Sequence, residues 1–238
     1  HRDLHSFPTR RSSDLLMLLR SCLLFCAAIC LTACSATKPT LDYSSYKQSQ
    51  PRSILVLPPL NNSPDVNATY GMLAQATFPL AESGYYVFPV ALVDETFKQN
   101  GLTASADIHA VSPAKLREIF GADTALYIIV TEYGASYRVI DSTVIVSALA
   151  RLVDLKTGNE IWQGSATASS AEEQNNSGGG GLTSVLLTAV VKQIANNITD
   201  SSYRIAGRAS NRLLAAGHLN GILYGPRSPS FGKDFGKE

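Results

Sequence analysis

The groups in this 238-residue chain that could do chemistry are four cysteines, four histidines and a scatter of carboxylates. Cys22, Cys26, Cys30 and Cys34 recur every four residues, a spacing that would line thiolates along one helical face. The first three sit within an apolar run, where small apolar filling is the simpler role. Cys34 closes that run behind Leu31-Thr32-Ala33 and is the last thiol in the chain. No disulfide and no thiolate metal site can therefore form beyond it. His109 and His218 are the histidines of that later part, and neither has a partner at the i+4 spacing of a helical zinc site. Asp123 follows Gly121-Ala122 and is expected to accept backbone hydrogen bonds beside Gly121. Glu172-Glu173 reads as a solvated pair in a polar loop, and His109 as a loop surface residue. Gly178 to Gly181 lacks the Lys-Ser/Thr that completes a phosphate loop, and no Gly-x-Ser-x-Gly elbow occurs. No catalytic residue, metal ligand or cofactor is assigned; a hydrolase would have to use Asp123 or His109.

Cys34 is left as the informative residue. Met17-Leu18-Leu19-Arg20 is a short segment with one positive charge, and Ser21 to Leu31 is almost entirely apolar. That run is shorter than the about 20 residues a spanning helix needs. The tetrapeptide Leu31-Thr32-Ala33-Cys34 resembles a bacterial lipobox. The resemblance implies signal cleavage after Ala33, a lipid on the Cys34 sulfur, and acylation of the new amino terminus, palmitate being a typical chain. Ser35 after the cysteine, where Asp would retain a protein elsewhere, resembles the outer-membrane sorting signal of Gram-negative cells. Residues 16–33 are then a signal peptide. His1 to Leu15, HRDLHSFPTRRSSDL, looks like the translation of a sequencing adapter and is set aside from the fold.

From Cys34 onward, 205 residues carry 16 Lys and Arg against 17 Asp and Glu, so the net charge is −1 where the whole chain has +1. A nearly neutral domain has no electrostatic reason to seek nucleic acid or anionic lipid. Hydrophobic residues make up 45% of the chain, enough for a core that holds without bridges.

The elements follow from patterning. Residues 34–51 are polar and read as a tether. Ile54 to Leu57 is a continuous apolar strand ended by Pro58-Pro59, buried on both faces. Val66 to Ser83 reads as a helix with Tyr70, Leu73, Ala74 and Thr77 on one stripe, kinked or restarted at Pro79. Tyr85 to Phe88 is a second strand, Ala91 to Asn100 a helix, and Ser112-Pro113 opens another that Gly121 closes. Ala125 to Tyr133 is a third strand, and Tyr137 to Asp154 and Glu160 to Ala168 form a hairpin through Leu155 to Asn159. Residues 170–181 read as a mobile loop. An apolar stripe from Leu182 to Ile198 predicts a helix, and Asp200 caps a further one through Leu214. The α/β domain spans 52–216, and residues 217–238 form an extended tail. This order predicts a single mixed sheet with helices packed on it, α/β or α+β in class.

Phe78-Pro79-Leu80-Ala81-Glu82-Ser83-Gly84-Tyr85-Tyr86-Val87-Phe88-Pro89-Val90, continued by Ala91-Leu92-Val93-Asp94-Glu95, resembles the signature of a family of bacterial outer-membrane lipoproteins of unassigned function that includes a vaccine-candidate surface antigen. The likeness runs to Leu223-Tyr224-Gly225-Pro226-Arg227. At greater distance, Ile54 to Pro58, Gly121-Ala122-Asp123 and Asp154-Leu155-Lys156-Thr157-Gly158 are similar to the periplasmic domain of the curli-secretion lipoprotein and the N-terminal domain of the Tol-system translocation protein. These resemblances imply an anticodon-binding-domain-like fold used in envelope assembly.

One departure bears on function: Ser165 to Gly181 lacks the alternating apolar strands of about 9–11 residues that a membrane barrel needs, so no pore is expected. The expected protein is non-catalytic, anchored to the outer membrane through Cys34, with its domain in the periplasm as an accessory or structural subunit of an envelope or secretion assembly. Its partners would be envelope proteins, a curli-type secretion lipoprotein among them, and not nucleic acid. The alternative is a module that binds a cell-wall fragment or small ligand through Tyr85, Tyr86 and Phe88. Alternation sends Tyr85 and Val87 to one side of the sheet and Tyr86 and Phe88 to the other, so at least one pair must be core.

Overall fold

The computed structural model describes residues 41–137, 142–172 and 198–233. Cys34, Ala33, most of the 170–181 loop and all of the predicted helix short of Ile198 lie outside those residues. Within them, six strands form one open mixed sheet and six helices pack on it.

The sheet grows outward from its most apolar strand. β1 (Ser53–Val56) has Ile54, Leu55 and Val56 fully buried, as an uninterrupted apolar run between two helical layers requires. It pairs in parallel with β3 (Tyr86–Val87) on one side and β4 (Thr124–Tyr137) on the other. β2 (Leu60–Asn61) also lies parallel to β4. β5 (Ser142–Asp154) and β6 (Glu160–Ser169) extend the sheet antiparallel, giving the order β3-β1-β4-β5-β6. A strand change expected at Tyr137 is displaced: Tyr137 ends β4 and β5 begins at Ser142.

The helices divide between the two faces. On one, α2 (Ala68–Glu82) and α6 (Ile198–Leu214) cover a core of Ile54, Val56, Leu126, Ile128, Val146, Leu152 and Trp162. On the other, α3 (Val90–Gln99), α4 (Ser105–His109) and α5 (Pro113–Phe120) cover Leu55, Leu57, Tyr127 and Val153. α5 forms as its ends dictate: the Ser112 hydroxyl accepts from the Lys115 amide, Pro113 occupies the first turn, and Gly121 closes it at φ 66°. α2 runs unbroken through Pro79, so the helix does not restart there. Its buried stripe is Ala68, Met72, Leu73, Ala76 and Leu80, rotated from the predicted one, so Tyr70 and Phe78 stay exposed. Asp200 lies inside α6 and does not stand before it as a cap. The second face of β5 is only partly covered: Val153 is buried but Leu149 is 46% exposed, so β5 is central in the sheet without being enclosed on both sides.

Two ends of the domain carry more structure than their polarity suggests. The part of the tether from Leu41 includes α1 (Ser44–Ser49), with Tyr46 buried. The Tyr43 hydroxyl donates to the Gly221 carbonyl at 2.5 Å, and the Leu41 amide to Asn220 at 2.9 Å. One aromatic every few residues is enough to dock a segment whose composition is otherwise that of a linker. The segment after Gly217 carries turns and one bridge, Ala216 to Ile222, and buries Ile222 and Leu223. The Trp162 indole donates to the Asn220 carbonyl at 3.1 Å, tying the same segment to β6.

Two carboxylates hold strand ends. Asp123 receives the Arg52 and Ser53 amides, each at 3.1 Å, and the Ser53 hydroxyl at 3.0 Å. It accepts backbone hydrogen bonds as expected, and the amides it receives are those at the start of β1. Replacing Asp123 with Ala should cost about 1–3 kcal/mol by leaving two amides without acceptors. Urea unfolding checks this, and an unchanged midpoint would contradict it. Asp154 closes the β5–β6 turn, accepting from Lys156 and Thr157 amides at 2.8 Å, and from the Ser49 hydroxyl of α1. Burial opposes its ionisation, but the hydrogen bonds from Ser49, Thr157 and Lys156 outweigh it and hold the carboxyl below the ordinary value of 3.8. A depressed folded pKa contributes stability above the unfolded value and loses it as pH falls through the folded one. Thermal unfolding should thus show an acid-labile increment below about pH 4 that Asp154→Asn removes.

Candidate functional site

The two segments that carry the family likeness, more than a hundred residues apart in the chain, meet at one corner of the sheet. α2 ends at Glu82, and Gly84 turns the chain into β3 at φ 96°, a conformation that favours glycine. The Gly225 amide donates to the Ser83 carbonyl at 2.8 Å and the Arg227 amide to the Gly84 carbonyl at 3.1 Å. The buried Ser83 hydroxyl donates to the Pro79 carbonyl at 2.6 Å and accepts from the Ala216 amide at 2.8 Å. A Cβ on Gly225 would stand 2.6 Å from the Gly84 oxygen, so both glycines are there for a close backbone approach.

This packing decides which aromatic residues are core. Tyr85 is 4% exposed; its hydroxyl donates to the Leu223 carbonyl at 2.6 Å, which leaves Tyr46 to donate to it at 2.7 Å. Tyr85 is thus mostly core, its hydroxyl bonded inside, although the residue still lines part of the groove described next. Tyr86 is 44% exposed and meets Phe88 edge-on at 5.1 Å between ring centres. The Arg227 guanidinium lies 5.5 Å above the Tyr86 ring.

Tyr86 and Phe88 form part of an open groove of about 670 Å³. Its walls are Thr77, Phe78 and Ala81 of α2 and Val90 and Ala91 of α3; the edge strand β3 lies between them and Arg227 at the rim. Phe78, 67% exposed, was missed from the sequence because the predicted stripe of α2 is rotated from the real one. Its place at the head of the stretch that carries the family likeness is the signal that would have found it.

The other candidates are engaged elsewhere. His109 lies in α4, not in a loop: its ring bonds the Pro58 carbonyl at 3.0 Å and meets Tyr127 edge-on at 5.2 Å. Burial pushes its imidazole below the ordinary value, the Pro58 bond opposes this, and Arg151, stacked 4.3 Å over Tyr127, adds to it. Glu172 is not merely solvated, since Arg212 of α6 holds both of its oxygens and drives its carboxyl down to about 2. A further cluster escaped sequence reasoning: the Ser147 hydroxyl bonds Glu132 at 2.8 Å and Thr167 at 2.9 Å across three strands. Cross-strand register, which a sequence does not display, puts them side by side. Among the described residues no group of three or more His, Cys, Asp or Glu side chains could hold a metal ion, and no helix is long and apolar enough to cross a membrane.

Fold and groove together define an α/β domain with helices on both faces and one sheet edge open between two of them. The chain belongs to the family described as "Putative lipoprotein GNA1162-like", whose model matches residues 41–227. It is 56% identical over 202 residues to the "Putative lipoprotein NMB1124/NMB1162" of Neisseria meningitidis serogroup B, covering 84% of this chain and 93% of that one. The crystal structure of lipoprotein GNA1162 from Neisseria meningitidis is 60% identical and covers 62% of this chain and 100% of its own, with a TM-score of 0.48. The PelC dodecamer from Paraburkholderia phytofirmans is 12% identical, covers 76% of this chain and 96% of its own, and superposes with a TM-score of 0.40. At those scores neither superposition bears on function.

Proposed function

We propose that this chain is a non-catalytic lipoprotein, held to the outer membrane by a lipid on Cys34 after cleavage at Ala33, with its α/β domain in the periplasm as an accessory or structural subunit of an envelope or secretion assembly. Membership of a lipoprotein family supports the anchor. The observation that carries the rest is the groove beside β3, in which aromatic side chains are displayed at a sheet edge, while Asp123 and His109, the residues a hydrolase would need, serve β1 and the Pro58 carbonyl. A surface of that kind suits docking better than bond cleavage.

Crosslinking in intact membranes followed by purification should return a defined envelope complex; recovery as a lone monomer under several crosslinking chemistries would contradict the proposal. A cell-wall fragment is the second reading, favoured by the Tyr86–Phe88 pair with Arg227 at the rim. Retention on isolated peptidoglycan, lost in Tyr86→Ala, would decide for it.

A further inference from the structure

The edge strand beside the groove has a property that side chains alone do not reveal. Tyr86 and Phe88 direct their amides at β1, bonding the Arg52 carbonyl at 3.1 Å and the Ile54 carbonyl at 3.2 Å. Successive residues of a strand turn their main-chain groups to opposite sides, so the N–H and C=O of Val87 face away from β1 and into the groove that Val87 lines. Neither group has a hydrogen-bond partner among the described residues. The edge is two residues long and Pro89 follows it, so it offers a partner one N–H and one C=O and not a long ladder. Here the walls are Phe78, Ala81, Val87 and Ala91, apolar on both sides. Arg227, exposed at the rim, contacts Tyr86 through its guanidinium and forms no ion pair among the described residues.

We infer that the groove takes an extended peptide segment of a partner protein, which adds to the sheet beside β3 by hydrogen bonding Val87 and places a carboxylate on Arg227. Three features select this occupant together. A strand satisfies the outward N–H and C=O of Val87, which an amphipathic helix, with its main chain already paired, does not. Side chains alternating above and below such a strand meet Phe78 and Ala81 of α2 on one face and Ala91 of α3 on the other. The lone cation selects acid over base at one end. The inference rests on the reading of this chain as an assembly subunit and specifies the chemistry of its partner.

The test uses the lipid-anchored protein in detergent and a fluorescein-labelled peptide of alternating valine and threonine that ends in glutamate. Anisotropy should show saturable binding that weakens about tenfold or more in Arg227→Glu, the loss of one close charge pair. A peptide with lysine in place of the glutamate should bind the wild type worse and Arg227→Glu better. Methylating the peptide amides should abolish binding, which a side-chain-only contact would survive. Arg227 is exposed and its amide bond to Gly84 does not depend on its side chain, so Arg227→Glu should lose only the contact with the Tyr86 ring and keep its unfolding midpoint within about 4 °C of wild type. Equal binding of the glutamate and lysine peptides, indifference to amide methylation, or binding of a muropeptide in their place would each overturn the inference. If the peptides fail while membrane crosslinking still returns a defined complex, the groove is excluded and the assembly reading stands.

Discussion

Gly84→Ala should lower the stability of the domain by about 3 kcal/mol or more, the sum of left-handed backbone strain and lost packing. At φ 96° an L side chain costs roughly 1–2 kcal/mol before it touches anything. The added Cβ would then stand 2.4 Å from the Ser228 amide nitrogen and 2.7 Å from the Ser228 Cβ, with the Gly225 oxygen at 2.9 Å. Because two of these three atoms are backbone, no rotamer change relieves the contact. The 225–228 segment must move away, breaking the Gly225–Ser83 and Arg227–Gly84 bonds and pulling Leu223 from the Tyr85 hydroxyl. For a domain of this size the unfolding midpoint should drop by about 6–12 °C. Differential scanning calorimetry checks the number. The variant should also lose the groove, since Arg227 leaves Tyr86 with the rest of its segment, so peptide binding and stability fall together. A midpoint within a degree or so of wild type would mean that the close approach of the two family segments does not hold this corner.

Cys34→Ala should move the protein from the membrane fraction to the soluble periplasmic fraction, an effect on location with little on folding. Each buried methylene contributes roughly 0.8 kcal/mol, so a lipid on the sulfur plus an acylated amino terminus holds a domain on a bilayer almost permanently, where a single chain does not. Among the described residues no helix is long and apolar enough to cross a membrane, and the chain from Cys34 onward is nearly neutral. Fractionation should find the variant soluble and its unfolding midpoint unchanged, since Cys34 lies outside the unit that begins at Leu41. Continued sedimentation at high salt of variant chains that have lost residues 16–33 would show that a protein contact, and not the lipid, does the anchoring.

Much of the architecture is legible from the chain because its signals are local. Ser112-Pro113 and Gly121 delimit α5 through caps that depend on neighbouring residues alone, and the apolar run of β1 needs two covering layers whatever the topology. The misreadings share a different origin. α1 looks like linker because Tyr43 and Tyr46 earn their burial from Gly221 and Tyr85, residues far off in the chain. The predicted stripe of α2 is rotated because Tyr70 is apolar yet left to solvent, and hydrophobic periodicity assumes that apolar residues face the core. At the site, alternation separates Tyr85 and Val87 from Tyr86 and Phe88 correctly. It does not reveal that Gly225 and Arg227 fold back onto Gly84, the contact that buries Tyr85 and leaves Tyr86 half open. Two glycines in turns carry no mark of being neighbours.

On the function proposed here, a lipid on Cys34 presents this domain from its first mature residue. Mass spectrometry of the protein extracted from native membranes tests it without a variant. The account predicts an amino-terminal peptide that begins at Cys34 and carries acyl mass on both the sulfur and the α-amino group; a free Cys34 thiol, or a mature terminus at another residue, would contradict it.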